Sequence, residues 1–391
     1  MILSLKLFTV FTILTICLSS IANGKTFDPG VKRSEIDRLL ENAINQGLIS
    51  GGVVLIGDNR KDLFCRAYGR LSAATEARPV VTDSLFDIAS LTKVVATAPA
   101  ILKLVEEGRI SLVDPVSRWL PEFAGKGKDD LLIMHLLTHT SGLDDFQVSA
   151  VNPLQSAIER SAARKSVKKP GSHFKYADIN FILLGELVRR VTGIGLDLYA
   201  AENIFLPLAM RDTGFNPSLE GAVRCAASLN SDNSLLVGLV QDHTARLFGG
   251  VAGHAGLFST APDLSRFCRM VLNRGILDGQ RVLTARTVDL MTVPYFSHDN
   301  NVLRGLGWDI ASPFSSPRGD IFSEVSFGHT GYSGGSLWID PESGLYVVLV
   351  TARLDYKRKR DFNKLRGGLS TSAAALFSGQ EKIKEFARKV E

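Results

Sequence analysis

Ser84-Leu85-Phe86-Asp87-Ile88-Ala89-Ser90-Leu91-Thr92-Lys93 sets an apolar entry, a serine and, three residues on, a lysine at the head of a helix-patterned run that continues to Glu107 and stops at Gly108. Two readings of it compete. In one, Ser90 caps the helix and Lys93 is a solvated charge. In the other, Ser90 is a nucleophile and Lys93 eases the loss of its proton. Residues three apart on a helix share a face, and a serine hydroxyl is a poor nucleophile until a neighbour takes its proton. A lysine does this directly if burial lowers its pKa, or else it polarises a second base. The same pattern recurs at Ser166-Val167-Lys168-Lys169 and at Ser172-His173-Phe174-Lys175, in a polar, basic stretch with no apolar entry. Of the three, Ser90 alone opens a long helix, whose first amides can also hold an oxyanion.

Upstream, Val31 to Gln46 has helical periodicity, with Ile36, Leu39, Leu40, Ala43 and Ile44 on one face and Gly47 as a stop. Gly52 to Gly57 and Leu63 to Tyr68 then read as two strands around Asp58-Asn59. Downstream, Leu131 to Leu137 is a short helix, and Asp178 to Val191 a longer one with Asp178 at its N-cap. Gly193 to Asn300 is mixed. Strand patterning returns at Ser336 to Asp340 and Leu345 to Val350, and a last helix covers Asp361 to Phe377. Strands joined by tight turns pair antiparallel. The chain therefore predicts an α+β fold: an antiparallel sheet flanked by helices, drawn from both termini (about 23–80 and 300–391), with a mainly helical second lobe over about 81–299. The groove between the lobes is the expected place for a site.

Two further segments add chemistry. Tyr176-Ala177-Asp178 stands at a helix entrance. A tyrosine keeps its proton to about pH 10, but beside a lysine cation its phenolate becomes accessible and can serve as a base; the alternative is a half-buried aromatic. His329-Thr330-Gly331 occurs once, just before a strand pair, where a donor, a hydroxyl and a glycine can lay a substrate's backbone alongside an edge.

In this order, Ser90-Leu91-Thr92-Lys93, Tyr176-Ala177-Asp178 and His329-Thr330-Gly331 resemble the three motifs of the serine β-lactamase and penicillin-binding-protein superfamily, in its class C β-lactamase, D-alanyl-D-alanine carboxypeptidase and esterase branch. The likeness extends to DSLFDIASLTKVVAT, HLLTHTSGL, YADINFILLGELV, GHAGLFSTAPDLSRF, GLGW and GHTGYSGGSLWIDP, spread from about residue 30 to 355. The resemblance implies a β-lactamase/transpeptidase-like fold with Ser90 acylated and Lys93 and Tyr176 sharing the acid–base work. Asp178, His329, Thr330 and Gly331 would line the substrate, and the backbone N–H groups of Ser90 and Tyr332 would form the oxyanion hole. It implies no metal and no cofactor.

The implied substrates are cell-wall peptides, through D-alanyl carboxypeptidase, endopeptidase or muropeptide amidase chemistry. β-Lactam or small-ester hydrolysis is the rival within the enzyme class, and a slow sensor of penicillins or wall fragments the rival outside it. Two departures bear on this choice. His329 stands where the family often has lysine, so a partly charged histidine would weaken recognition of a substrate carboxylate as pH rises, or the substrate lacks one. Asp178 stands where asparagine is common, and a carboxylate cannot donate to an acyl amide carbonyl. Both lean away from an efficient β-lactamase.

Composition is ordinary for a soluble globular protein: 391 residues, 45% apolar, 22% charged and a net charge of +5. The densest basic runs, Arg164 to Lys175 and Lys357 to Arg360, lack interleaved aromatics or glycines, which argues against nucleic acid. Lys6, the apolar run Leu7 to Leu18 and Ser20-Ile21-Ala22 read as a signal peptide over residues 1–22, placing the mature chain in the periplasm or outside the cell. Cleavage after Ala22 leaves 44 basic and 40 acidic residues, or +4. An uncleaved membrane anchor over Ile2 to Ile21 is the alternative. Cys65, Cys225 and Cys268 then remain, too few and too scattered for a disulfide scaffold, and read as small buried apolar groups.

Other signals are set aside. Gly331-Tyr332-Ser333-Gly334-Gly335 matches a nucleophile elbow but is followed by a strand instead of a helix. His135 and His139 are spaced like metal ligands, with leucine where the catalytic glutamate would stand. His254 reads as a buried, hydrogen-bonded histidine or as a cleft residue tuning Tyr176, and Arg353 as a solvated charge.

Overall fold

The structure, a computed structural model, describes residues 29–166, 168–298 and 302–378. The expected signal peptide at 1–22, with Cys17, lies outside them.

Helix α1 (Pro29–Asn45) leads into the hairpin β1 (Ile49–Asp58) and β2 (Asp62–Gly69). A long helical excursion follows, with α2 (Ala98–Glu106), α3 (Asp178–Thr192) and α4 (Ala261–Leu272) as its main rods. The chain then returns through β3 (Phe296–His298), β4 (Val302–Arg304), β5 (Asp309–Ala311), β6 (Phe327–Thr330), β7 (Ser336–Asp340) and β8 (Leu345–Arg353), and closes with α5 (Lys359–Phe377). These strands form one antiparallel sheet in the order β3-β4-β5-β6-β7-β8-β1-β2. The first hairpin thus pairs with the last strand, Val53 opposite Val350 and Leu55 opposite Val348.

Strand β1 is apolar on both faces because both are covered. Val53 and Leu55 join the core under α4 and the helical excursion. Val54 and Ile56 point the other way, into a second core with Ile36 and Leu40 of α1 and Phe362, Leu365 and Leu369 of α5. Among the described residues no helix is long and apolar enough to cross a membrane. Cys65, Cys225 and Cys268 are free; the last two are buried, whereas Cys65 is exposed and not the buried group expected of it.

Two local departures from the sequence reading shape the site. The expected helix from Ser90 to Glu107 does not begin as an α-helix. A single 3-10 turn, Ala89–Leu91, passes into a wider π turn, Lys93–Thr97, and α2 proper starts at Ala98. Asp178 is not the N-cap of α3, a position taken by Ala177. The first amides of α3, on Asp178 and Ile179, are instead capped from a distance by the carboxylate of Asp145, at 3.1 and 2.9 Å. That leaves the Asp178 side chain available for another partner.

Candidate active site

Ser90 follows a strained link. Phe86–Asp87 pairs with Leu257–Ser259 in a small three-stranded sheet, and Ala89 then adopts φ 46°, a left-handed conformation costly for a residue with a Cβ. Polar contacts on every side hold it there. The buried Asp87 carboxylate accepts the Ala89 N–H at 2.8 Å and the Gln241 N–H at 2.6 Å. Thr92 Oγ1 donates to the Ala89 carbonyl at 2.6 Å, and Ser333 Oγ donates to the Asp87 carbonyl at 2.6 Å. Ser333 is therefore committed to the scaffold, as its position before a strand suggests.

Lys93 is fully buried, and its Nζ donates to Ser90 Oγ at 3.0 Å and to the His254 carbonyl at 3.0 Å. Asp178 Oδ1 lies 2.7 Å from the same nitrogen, and the Tyr176 ring 5.1 Å from it. The Tyr176 phenol stands near enough to Lys93 and Ser90 for both to favour its ionisation. Burial alone would lower the pKa of Lys93, but the charges of Asp178 and Tyr176 outweigh it and hold the lysine above its ordinary value. Burial likewise opposes ionisation of Asp178, and the Lys93 charge outweighs it, so this carboxyl lies below the usual range. Burial raises the Tyr176 phenol, with Lys93 pulling it back only in part. The resting site is therefore an ammonium–carboxylate pair beside a neutral phenol. Lys93 is not the free amine that burial by itself would produce, and the phenolate is not the resting form of Tyr176.

The loop bearing His254 reaches Lys93 because two glycines let backbones touch. A Cβ on Gly253 would sit 2.0 Å from the Phe181 carbonyl on α3. Thr97 Oγ1 donates to the Gly253 carbonyl at 2.6 Å. The His254 ring is buried and donates Nε2–H to Asp242 Oδ1 at 2.9 Å. Burial works against that carboxylate, but His254 brings it down to about 2. His254 thus steadies the loop that holds Lys93 and stands beside Asp178. Asp178, Asp242 and His254 place donor atoms within 4.8 Å of one another around a cavity of about 120 Å³. They are close enough to share a cation, but Lys93 already supplies a positive charge to Asp178.

The main cleft, a cavity of about 260 Å³, is lined by Ser90, Tyr176, Phe314, His329, Thr330 and Tyr332, among others. Gly331 packs against the Ser90 turn so closely that a Cβ there would lie 2.5 Å from the Ile88 carbonyl. The sequence-selected residues therefore converge, except that Asp178 faces the smaller cavity behind Lys93. His329 departs from expectation in its charge. It is buried, and its Nδ1–H donates to the Thr330 carbonyl at 2.9 Å. Burial, then the charges of Arg304 and Lys93, push its pKa well below that of free histidine. It is a neutral imidazole and not a partly charged one. His139, weighed above as a metal ligand and set aside, stacks on Tyr176 at 4.4 Å and accepts the Ala177 N–H at 3.3 Å. His135 accepts the Leu132 N–H at 3.2 Å, so the two histidines serve separate turns.

Sequence reasoning missed three cleft arginines. Arg304 is buried and pairs with Asp309 at 3.0 Å. Arg353, expected in solvent, is 4% exposed, and Arg366 on α5 is 6% exposed. Burial, then the nearby Arg353 charge, lower the Arg366 pKa to about 9, so it remains a cation at neutral pH. A signal existed for Arg353. The strand Leu345–Arg353 is apolar without alternation, which marks burial on both faces right up to its last residue.

Comparison with known proteins follows the same lines. The family model described as Beta-lactamase matches residues 36–369. The "Putative D-alanyl-D-alanine carboxypeptidase" of Escherichia coli (strain K12) is 30% identical over 357 residues, covering 81% of each chain. Among solved structures, EstCE1, a hydrolase with promiscuous acyltransferase activity, superposes with a TM-score of 0.72 at 21% identity, covering 88% of this chain and 99% of its own. A penicillin-binding-protein homologue from Caulobacter crescentus gives a TM-score of 0.72 at 21% identity, covering 87% and 97%. At such identities the two structures speak to the fold alone.

Proposed function

This chain belongs to the beta-lactamase family and is a serine hydrolase, and from that premise we propose that it is exported and cleaves cell-wall peptides through an acyl-enzyme on Ser90. The observation that carries the reading is the 3.0 Å contact from Lys93 Nζ to Ser90 Oγ, with the Tyr176 ring 5.1 Å from the same nitrogen and lining the same cleft as Ser90. In the proposed acylation, Ser90 Oγ attacks the scissile carbonyl, and as its proton passes to the Tyr176 oxygen the phenol hands its own proton, in the same step, to the amine nitrogen, which departs as the C–N bond breaks. Lys93 stays an ammonium, held by Asp178, and stabilises the phenolate character that develops on Tyr176. The N–H groups of Ser90 and Tyr332 receive the oxyanion. Water then repeats the sequence in reverse, giving one proton to Tyr176 while Ser90 Oγ regains another.

Substrate class rests on charge. Arg304, Arg353, Lys359 and Arg366 line the cleft, and the acid that lines it with them, Asp309, is paired with Arg304. The remaining positive potential favours a substrate with an anionic end, such as a peptide C-terminus. A carboxypeptidase acting on D-alanyl peptides fits this, in keeping with the name carried by the E. coli relative. Asp178 pairs with Lys93 and offers the cleft no amide N–H, which weighs against efficient β-lactam hydrolysis. Export to the periplasm or the medium rests on the apolar leader Leu7 to Leu18.

Intact mass spectrometry with a penicillin, and release of D-alanine from a D-alanyl-D-alanine peptide, test the reading together. A wild-type adduct that Ser90→Ala lacks, accompanied by D-alanine release, is the expected result. A short-lived adduct with ring-opened product points to a β-lactamase, and a lasting adduct without D-alanine release to a sensor. Hydrolysis surviving in Ser90→Ala sinks the reading. A mature N-terminus at Asn23 is expected for the exported chain.

A further inference from the structure

Arg353 and Arg366 are buried cations, and between them they donate three hydrogen bonds to the backbone carbonyls of one turn, while Arg366 Nη1 also reaches Asn363 Oδ1 at 3.4 Å. Arg366 Nη2 donates to the Gly331 carbonyl at 2.7 Å and to the Gly335 carbonyl at 2.8 Å. Arg353 Nη1 donates to the Tyr332 carbonyl at 3.0 Å and its Nε to the Asp355 carbonyl at 2.9 Å. The turn closes on itself through Gly331 N–H to Gly335 O at 2.8 Å and Gly334 N–H to Gly331 O at 3.0 Å. The Tyr332 N–H takes no part in that closure.

A trans peptide points its C=O and N–H in opposite directions, and the described chain has no cis bonds. Fixing the Gly331 carbonyl toward Arg366 therefore fixes the Tyr332 N–H, on the same peptide unit, away from it. Gly331 and Gly335 both rest on the Ile88–Leu91 turn that carries Ser90, so the free face of the peptide is the Ser90 side. A guanidinium on the carbonyl also polarises the unit and strengthens its N–H as a donor.

We propose that Arg366, assisted by Arg353, is a positioning residue that orients and polarises the Gly331–Tyr332 peptide as an oxyanion donor. The inference rests on the reading of Ser90 as nucleophile and Tyr332 N–H as part of the oxyanion hole. It differs from direct recognition of a substrate carboxylate, because a carboxylate contact matters only for anionic substrates whereas an oxyanion donor matters for all.

The test uses Arg366→Gln and Arg353→Gln in the full chain with three probes: a D-alanyl-D-alanine peptide, neutral p-nitrophenyl acetate, and phenylboronic acid, whose boron adduct on a serine puts an oxygen in the oxyanion position. We expect Arg366→Gln to lower kcat about 100-fold on both substrates with little change in KM, and to weaken phenylboronic acid by a similar factor. Arg353→Gln, which frees the neighbouring carbonyl, should show the same pattern at about 10-fold, and it carries the test alone if Arg366→Gln does not fold. A loss confined to the peptide and seen in KM, with the ester and boronic acid unaffected, overturns the inference. Ser90→Ala runs alongside: if it keeps hydrolysis or still binds the boronic acid equally well, the nucleophile reading has failed first.

Discussion

Replacing Asp178 with asparagine removes one charge and almost no volume, so it isolates the role of the carboxylate beside Lys93. Two unit charges 2.7 Å apart attract by about 6 kcal/mol at an effective dielectric of about 20. The Asp178 side chain is 37% exposed, and solvent screening removes about half of that. Some 3 kcal/mol is left, equivalent to a fall of about 2 in the Lys93 pKa, with Tyr176 still opposing the effect of burial. In the wild type Lys93 holds its proton beyond the ordinary lysine range, and its stabilising charge persists until pH rises through that raised value. In Asp178→Asn that raised value falls back by about 2, toward the ordinary lysine range. The ammonium is then lost at a lower pH than in the wild type, and the stability it contributes goes with it.

Two assays read this. Thermal melting near pH 7 should show a drop of roughly 5 °C in Tm for Asp178→Asn, a difference that persists up to the ordinary lysine range. The pH profile of kcat/KM on a neutral ester should gain an alkaline limb about 2 pH units below any limb of the wild type. If activity in the variant instead climbs with pH, Lys93 works as a neutral base and the ammonium role argued above is wrong. Profiles that superimpose would mean that the contact carries no coupling at all.

Other expectations follow from single contacts. Gly331→Ala forces a Cβ to within 2.5 Å of the Ile88 carbonyl; destabilisation of about 1–3 kcal/mol, read by chemical denaturation, should accompany a loss of kcat larger than the change in KM. Because His329 is neutral, the ratio of kcat/KM for an anionic and a neutral substrate should stay flat from about pH 5.5 to 8.5, apart from titration of the substrate itself. A ratio that falls with pH would restore a charged histidine. Asp87, raised by burial to about 6, accepts two backbone N–H groups only as a carboxylate. Activity should therefore decline as pH falls through about 6, and Asp87→Asn should abolish that limb while His329→Asn leaves it in place.

The frame was legible where periodicity and burial agree. The hairpin from Gly52 to Tyr68, the pair from Ser336 to Val350 and the closing helix lie within a residue or a few of their expected bounds, because each buries a continuous apolar face against the same sheet. The order of Ser90, Lys93 and Tyr176 was legible as well, since motif spacing survives where substrate contacts vary. Ionisation was not. Whether Lys93 is an amine or an ammonium depends on Asp178, 85 positions away, and His329 is neutral only because the fold brings Arg304 and Lys93 near it. Asp178 looked like a helix cap because its local sequence suits one. Asp145, outside any motif, took that place and released it.

The residues that hold the serine explain why the motif by itself is weak. A left-handed Ala89 costs on the order of 1–2 kcal/mol, and a regular helix start at Ser90 would avoid that cost. It would also alter where Oγ stands relative to Lys93 on the π turn and to Tyr332 across the cleft. Asp87, Thr92, Ser333 and Gln241 each spend a hydrogen bond on the turn, and at about 1 kcal/mol net per bond they offset the strain. The copy at Ser172 is held differently: Ser172 Oγ donates to the nearby Lys169 carbonyl and Lys175 pairs with Asp144. What separates Ser90 from that serine is the buried polar scaffold that makes a strained turn its stable conformation, and that scaffold comes from three separate stretches of the chain.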